Sequence, residues 1–222
     1  MKGEGLAPPN FYNRFLPRGV SMRIQNKMQR ILCIGDSNTF GYDPRSWFGG
    51  CYPAGVRWTD RLRNDSREVI NCGRNGMCIP EEREFAVVRS LIRSRRPVDI
   101  ITVMLGDNDF LTAASAETVT ARMRAFLTSL LDASEGERIL LIAPPPLNLG
   151  DWVRSERTVA ETGRLGALYR ALAEELGVDF ADADSWDVEL SYDGVHFTEQ
   201  GHAAFAAGLE NTLNSLQADE SS

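Results

Sequence analysis

The stretch "ILCIGDSNTFGYDP", Ile31 to Pro44, carries four apolar residues straight into Gly35-Asp36-Ser37. An unbroken apolar run of this kind marks a strand covered on both faces, as strands of a parallel sheet are. Behind the glycine, an acid, a hydroxyl and an amide follow where a loop or a helix start should begin. "DIITVML" (99–105) and "RILLIA" (138–143) read as two more central strands. The first strand is expected over 30–34, and shorter ones over 68–71 and 178–181. Apolar residues at helical spacing predict helices over 80–95, 116–131 and 157–176, the last ended by Gly177. A further helix should start at Thr198 as N-cap and run to about residue 213, and a short early one should cover 59–62. Five strands alternating with five helices predict an α/β three-layer sandwich around a five-stranded parallel sheet, joined by right-handed crossovers.

The 222 residues fit one domain. The formal charge of −7 argues against nucleic acid or an anionic membrane surface as partner. No apolar run is long enough for a membrane helix, and the start lacks a signal-peptide core, so a cytoplasmic protein is expected. Four cysteines without a CxxC pair, and only two histidines, point to reduced thiols and leave little material for a metal site. Residues 1–28 show no period and read as an arm, either flexible or a contact in a homo-oligomer; 29–217 form the folded domain and 218–222 a polar tail.

In a sheet of this kind the ligand sits at the carboxyl ends of the strands. Those ends carry Gly35-Asp36-Ser37-Asn38-Thr39, "NCGRNG" (71–76), "LGDND" (105–109) and Pro144-Pro145-Pro146, with "YDGVHFTEQG" (192–201) before the last helix. A serine hydroxyl attacks only when a base takes its proton, and histidine suits that task at neutral pH. His196 stands in a loop-like segment three residues after Asp193, near enough for the carboxylate to hold the imidazole Nδ1–H and leave Nε2 free. His202 falls on the last predicted helix and reads as structural. Donors for a developing oxyanion are the Ser37 N–H, the Gly76 N–H, which a missing side chain lets approach closely, and the Asn108 amide.

These residues resemble the four blocks of the SGNH (GDSL-type) hydrolases: Ser37 in "GDSNT", Gly76 in "NCGRNG", Asn108 in "GDND", and Asp193 with His196 in "DGVH". The resemblance spans about residues 30–213. "RILCIGDSNTFGYDP", "VRWTDRL", "VMLGDND", "APPPL" and "DGVHFTE" are similar to the arylesterase and acyltransferase branch. It implies a flavodoxin-like sheet of order 2-1-3-4-5 and no cofactor or metal. It implies Ser37 as nucleophile, His196 as base, Asp193 as its orienting acid, and Ser37, Gly76 and Asn108 as the oxyanion hole. Two positions depart: Asn38 replaces the Leu of the family name, and Asp107 stands where the branch commonly has Thr. A carboxylate there opposes the oxyanion unless it is turned away, solvated, or paired, with Arg74 as a candidate partner.

The expected pocket comprises Asp36, Asn38, Trp47, Trp58, Asp107, Phe110, Pro145 and Val195. Further aromatics, Phe48, Tyr52, Trp152 and Phe197, stand near the same loops. The substrate expected is a small ester with a short acyl group and an aryl or small alkyl alcohol half. A carbohydrate acetylesterase, and an acyltransferase or perhydrolase, remain open on the same residues. The non-enzymatic alternative is a flavodoxin-like binding module, against which stands the lack of GxGxxG or a P-loop in the first loop.

Overall fold

The computed structural model describes residues 28–46 and 48–219. The predicted arm, apart from Met28, and the end of the polar tail lie outside the described residues, as does Trp47. Five strands, β1 (Gln29–Gly35), β2 (Arg67–Asn71), β3 (Ile100–Met104), β4 (Arg138–Ala143) and β5 (Asp179–Asp182), form one sheet of order β2-β1-β3-β4-β5. All four pairings are parallel, with Ile31 opposite Ile100 and Leu140 opposite Asp179 in register. Every residue of β3 is buried, as a strand with neighbours on both sides and helices on both faces requires.

Successive strand residues point to opposite faces, and the apolar sets divide accordingly. Leu32, Ile34, Ile101, Val103 and Leu141 pack on one face under α3 (Glu82–Arg95), α5 (Ala116–Leu131) and α7 (Leu165–Leu176). Ile31, Cys33, Ile100, Leu140 and Ile142 pack on the other under α2 (Trp58–Arg61) and α8 (Glu199–Asp219). The short helices α1 (Ser37–Phe40), α4 (Asp107–Leu111) and α6 (Glu156–Thr162) lie between them in the chain. No helix among the described residues is long and apolar enough to cross a membrane.

Two predicted helices differ. The expected helix over 157–176 is two, α6 and α7, separated at Gly163-Arg164. Thr162 turns inward there, its buried hydroxyl accepting the Leu147 N–H at 3.1 Å, which ties the break to the loop after β4. α8 runs past 213 to Asp219, into the expected tail, because Leu213 and then Leu216 still pack on the sheet. Thr198 does cap it, its hydroxyl accepting the Gly201 N–H at 3.0 Å.

Candidate active site

At the end of β1 a strand turns directly into a helix. A Cβ on Gly35 would lie 2.0 Å from Thr39 Oγ1, so only glycine lets α1 fold back so tightly on the strand. Asp36 caps α1, its Oδ1 accepting the Asn38 N–H at 2.9 Å. Ser37 is therefore the first helical residue, and its own N–H has no partner within the helix. The second loop comes close for a similar reason: a Cβ on Gly73 would lie 2.2 Å from the Phe40 nitrogen.

Ser37 Oγ lies 3.0 Å from His196 Nε2, and His196 Nδ1 lies 2.6 Å from Asp193 Oδ2. All three side chains are buried. Asp193 Oδ1 accepts the backbone N–H of Val195 at 2.9 Å and of His196 at 3.0 Å. Burial works against the Asp193 charge, but these hydrogen bonds and the imidazole outweigh it and hold its carboxyl below the usual range. An ionised Asp193 accepts a hydrogen bond from Nδ1–H, which leaves Nε2 unprotonated and free to receive the proton of Ser37.

Asn38 holds this loop in place from the other side. Its Nδ2 donates to the Val195 carbonyl at 3.1 Å, and its Oδ1 accepts the Phe197 N–H at 3.0 Å. The loop before α6 grips it as well, since Asn148 N donates to Gly194 O and Trp152 N to Asp193 O. Two rings face the imidazole, Tyr42 at 4.5 Å and Trp152 at 4.9 Å between centroids.

Asn108 Nδ2 donates to the Met77 carbonyl at 3.1 Å and sits 3.5 Å from Asp36 Oδ2, which links the ends of β3, β2 and β1. Asp109 fastens the same loop, its Oδ2 accepting the Ile79 N–H at 3.0 Å while Arg122 pairs with Oδ1 at 2.7 Å. Gly76 takes φ +71°, and its N–H has no hydrogen bond among the described residues. Nothing lies within 4 Å of a Cβ placed there, so its glycine serves the left-handed turn and not close packing.

Several expected pocket residues stand elsewhere. Trp58 and Phe110 are core side chains, each 1% exposed; Trp58 Nε1 donates to the Asn38 carbonyl at 2.9 Å. Asn38 is engaged by the His196 loop and faces no open space. Asp36 is the buried cap of α1, and Pro145 is buried at the end of β4. Val195 joins Leu147 and Val153 in a small apolar cluster. Asp107 is neither solvated nor paired with Arg74: it is 3% exposed, and its Oδ1 has no hydrogen-bond partner. Tyr52 and Phe197 are also internal, while Phe48 is fully exposed. Sequence reasoning missed Tyr42, which stands one residue past the α1 cap Gly41, and Asp109, whose tie to Ile79 has no local signature.

A family model, the GDSL-like lipase/acylhydrolase family, matches residues 33–204. Among solved structures, the native M. smegmatis aryl esterase is similar at 27% identity and a TM-score of 0.76, covering 85% of this chain and 99% of that one. A carbohydrate acetylesterase family member from Sinorhizobium meliloti is similar at 28% identity and a TM-score of 0.74, covering 85% and 98%. A search of curated proteins found no match.

Proposed function

The chain belongs to the GDSL-like lipase/acylhydrolase family and is a carboxylic ester hydrolase; from that premise we propose that it is a serine esterase working through an acyl-enzyme on short-chain esters. The observation that carries this reading is the line from Ser37 Oγ through His196 to Asp193, at 3.0 Å and 2.6 Å. In this reading Ser37 Oγ attacks the ester carbonyl carbon as its proton passes to Nε2. The oxyanion is met by the N–H groups of Ser37 and Gly76 and by the Asn108 amide. The C–O bond to the alcohol breaks as Nε2 returns the proton to the leaving oxygen. Water then attacks the acyl carbon by the same exchange, which frees Ser37.

Tyr42 and Trp152 beside the imidazole favour a flat or apolar alcohol half, in keeping with an aryl or small alkyl ester. Trp152 also supports the second reading, a carbohydrate acetylesterase, because the residue is 54% exposed and a sugar face can stack on its ring. Ser37→Ala should lower kcat for p-nitrophenyl acetate by about 10⁴-fold or more while the fold is kept, and a fluorophosphonate should label Ser37 of the unsubstituted protein alone. Undiminished turnover in the variant sinks the serine mechanism. A panel of acetyl esters of phenols and of sugars, compared by kcat/KM, separates the two alcohol classes.

A further inference from the structure

Three carboxyl groups are buried where β1 and β3 end: Asp36, Asp107 and Asp109, at 2%, 3% and 0% exposure. Asp109 is satisfied as an anion by Arg122 and the Ile79 N–H. Asp36 has the Asn38 N–H on Oδ1, the Asn108 amide 3.5 Å from Oδ2, and His196 within electrostatic reach. Asp107 has no such support. The charged groups that bear on it are Asp36 and Asp109, both acids, and the polar side chain that reaches it is the Asn38 amide. Arg122 is engaged by Asp109, and the Arg74 side chain is exposed. From α7, the Tyr169 phenol faces Asp109 and Asp107 and donates to the Leu105 carbonyl at 3.0 Å; burial first holds it far above its ordinary value, so it brings no charge. Cys78, exposed but beside Asp109 and Asp36, is likewise raised, by partial desolvation first.

Two adjoining carboxyl groups in a dry corner do not both ionise. Asp36 has the donors that favour an anion; burial raises it only to about 6 against their pull. Asp107 therefore keeps the proton, its carboxyl held well above the usual range by burial and then by its two acidic neighbours. An unpartnered oxygen such as its Oδ1 costs far less on a neutral acid than on a carboxylate.

We propose that Asp107 works uncharged: buried at the start of α4 next to Asn108, with no partner for its Oδ1, it stands as a neutral acid, and hydrolysis falls away when it gives its proton to solvent base. The proposal rests on the serine-esterase reading. Loss of that proton puts a second negative charge beside Asp36 and Asn108, opposing the oxyanion that the esterase reading assigns to Asn108.

The test is the pH profile of kcat/KM for p-nitrophenyl acetate between pH 6 and 10, with the Ser37→Ala protein as blank, for the unsubstituted protein, Asp107→Asn and Asp107→Thr. The unsubstituted protein should show an alkaline fall, and the variants, which have no carboxyl to ionise, should lack it. Their ratio of pH 10 to pH 7.5 activity should exceed that of the unsubstituted protein by about tenfold. An alkaline limb shared by all three overturns the proposal, because a packing role alone changes the level and not the shape. Should the variants fold poorly, infrared spectroscopy of the unsubstituted protein at pH 7.5 decides. A buried protonated carboxyl band supports the proposal, and its absence overturns it. Full turnover in Ser37→Ala would instead defeat the esterase reading, and the infrared result would stand apart from it.

Discussion

Asn38 follows Ser37 in the chain, yet its side chain acts on a loop 157 residues away, joining Val195 and Phe197 on either side of His196. The Trp58 indole, donating to the Asn38 carbonyl, fixes the same residue from behind. Asn38→Ala leaves a buried carbonyl and a buried N–H without partners, each worth about 1–3 kcal/mol when unsatisfied. The variant should lose about 2–5 kcal/mol in urea unfolding and should lose kcat more than KM, because the substrate contacts remain while His196 drifts. An unchanged unfolding midpoint would show that water or a neighbour takes over both groups. The meeting of Ser37, His196 and Asp193 was legible in the sequence because each stands where a strand ends or the last helix is about to begin. The inward turn of Asn38, Trp58 and Phe110 was not, since an aromatic or amide after a strand can face either way and only packing decides.

At the scale of elements, the site is two loops fastened to each other. Asn148 donates to Gly194 O, Asp151 to Tyr192 O and Trp152 to Asp193 O, so the segment after β4 is pinned along the segment that carries His196. Gly194 makes this contact possible: at φ +80° a Cβ would lie 2.0 Å from the Asn148 carbonyl oxygen. Gly194→Ala must part the two loops and move His196 relative to Ser37. A displacement of that order should lower kcat by about 10²-fold or more. Gly136→Ala is the contrast: it has φ +111° and nothing within 4 Å, in the turn before β4. That variant should suffer only backbone strain, about 1–3 kcal/mol, with kcat kept. Equal activity losses in the two would show that strain, not the clash, matters. Strands were legible from their apolar runs, and β4 was expected within its observed bounds. The division of α6 from α7 was hidden because apolar residues recur on both sides of it, Val159 before and Leu165, Leu168 and Leu172 after, and only the inward hydroxyl of Thr162 reveals the break.

Across the whole molecule, the three layers followed from the alternation of strands and helices and the strand order from the family resemblance, whereas the response to pH depends on burial that no sequence pattern prints. His202, on α8 against the start of α2, shows this. It is fully buried, its Nδ1 faces the Trp58 N–H at 3.4 Å, its Nε2 has no partner, and Tyr52 and Phe197 meet it edge-on. Burial, then Arg61, Arg57 and His196, push its pKa down from 6.5 to about 4. A histidine lowered on folding contributes stability that is fully present above the unfolded value and is lost as pH falls toward the folded one. Between pH 8 and pH 5 that loss amounts to about 2 kcal/mol. Asp36 has the opposite sign: raised to about 6, chiefly by burial, its charge costs stability above that pH, and acid relieves the cost. Asp107 shares that sign, so the unsubstituted protein alone shows only a difference of opposing slopes. A comparison with His202→Gln isolates the histidine, because the acids are common to both proteins. The glutamine amide of that variant has nothing to protonate, so the stability advantage of the unsubstituted protein should shrink by about 2 kcal/mol from pH 8 to pH 5. Urea unfolding of both proteins at the two pH values measures this directly. A constant gap between them would mean that the folded protein admits a charged His202.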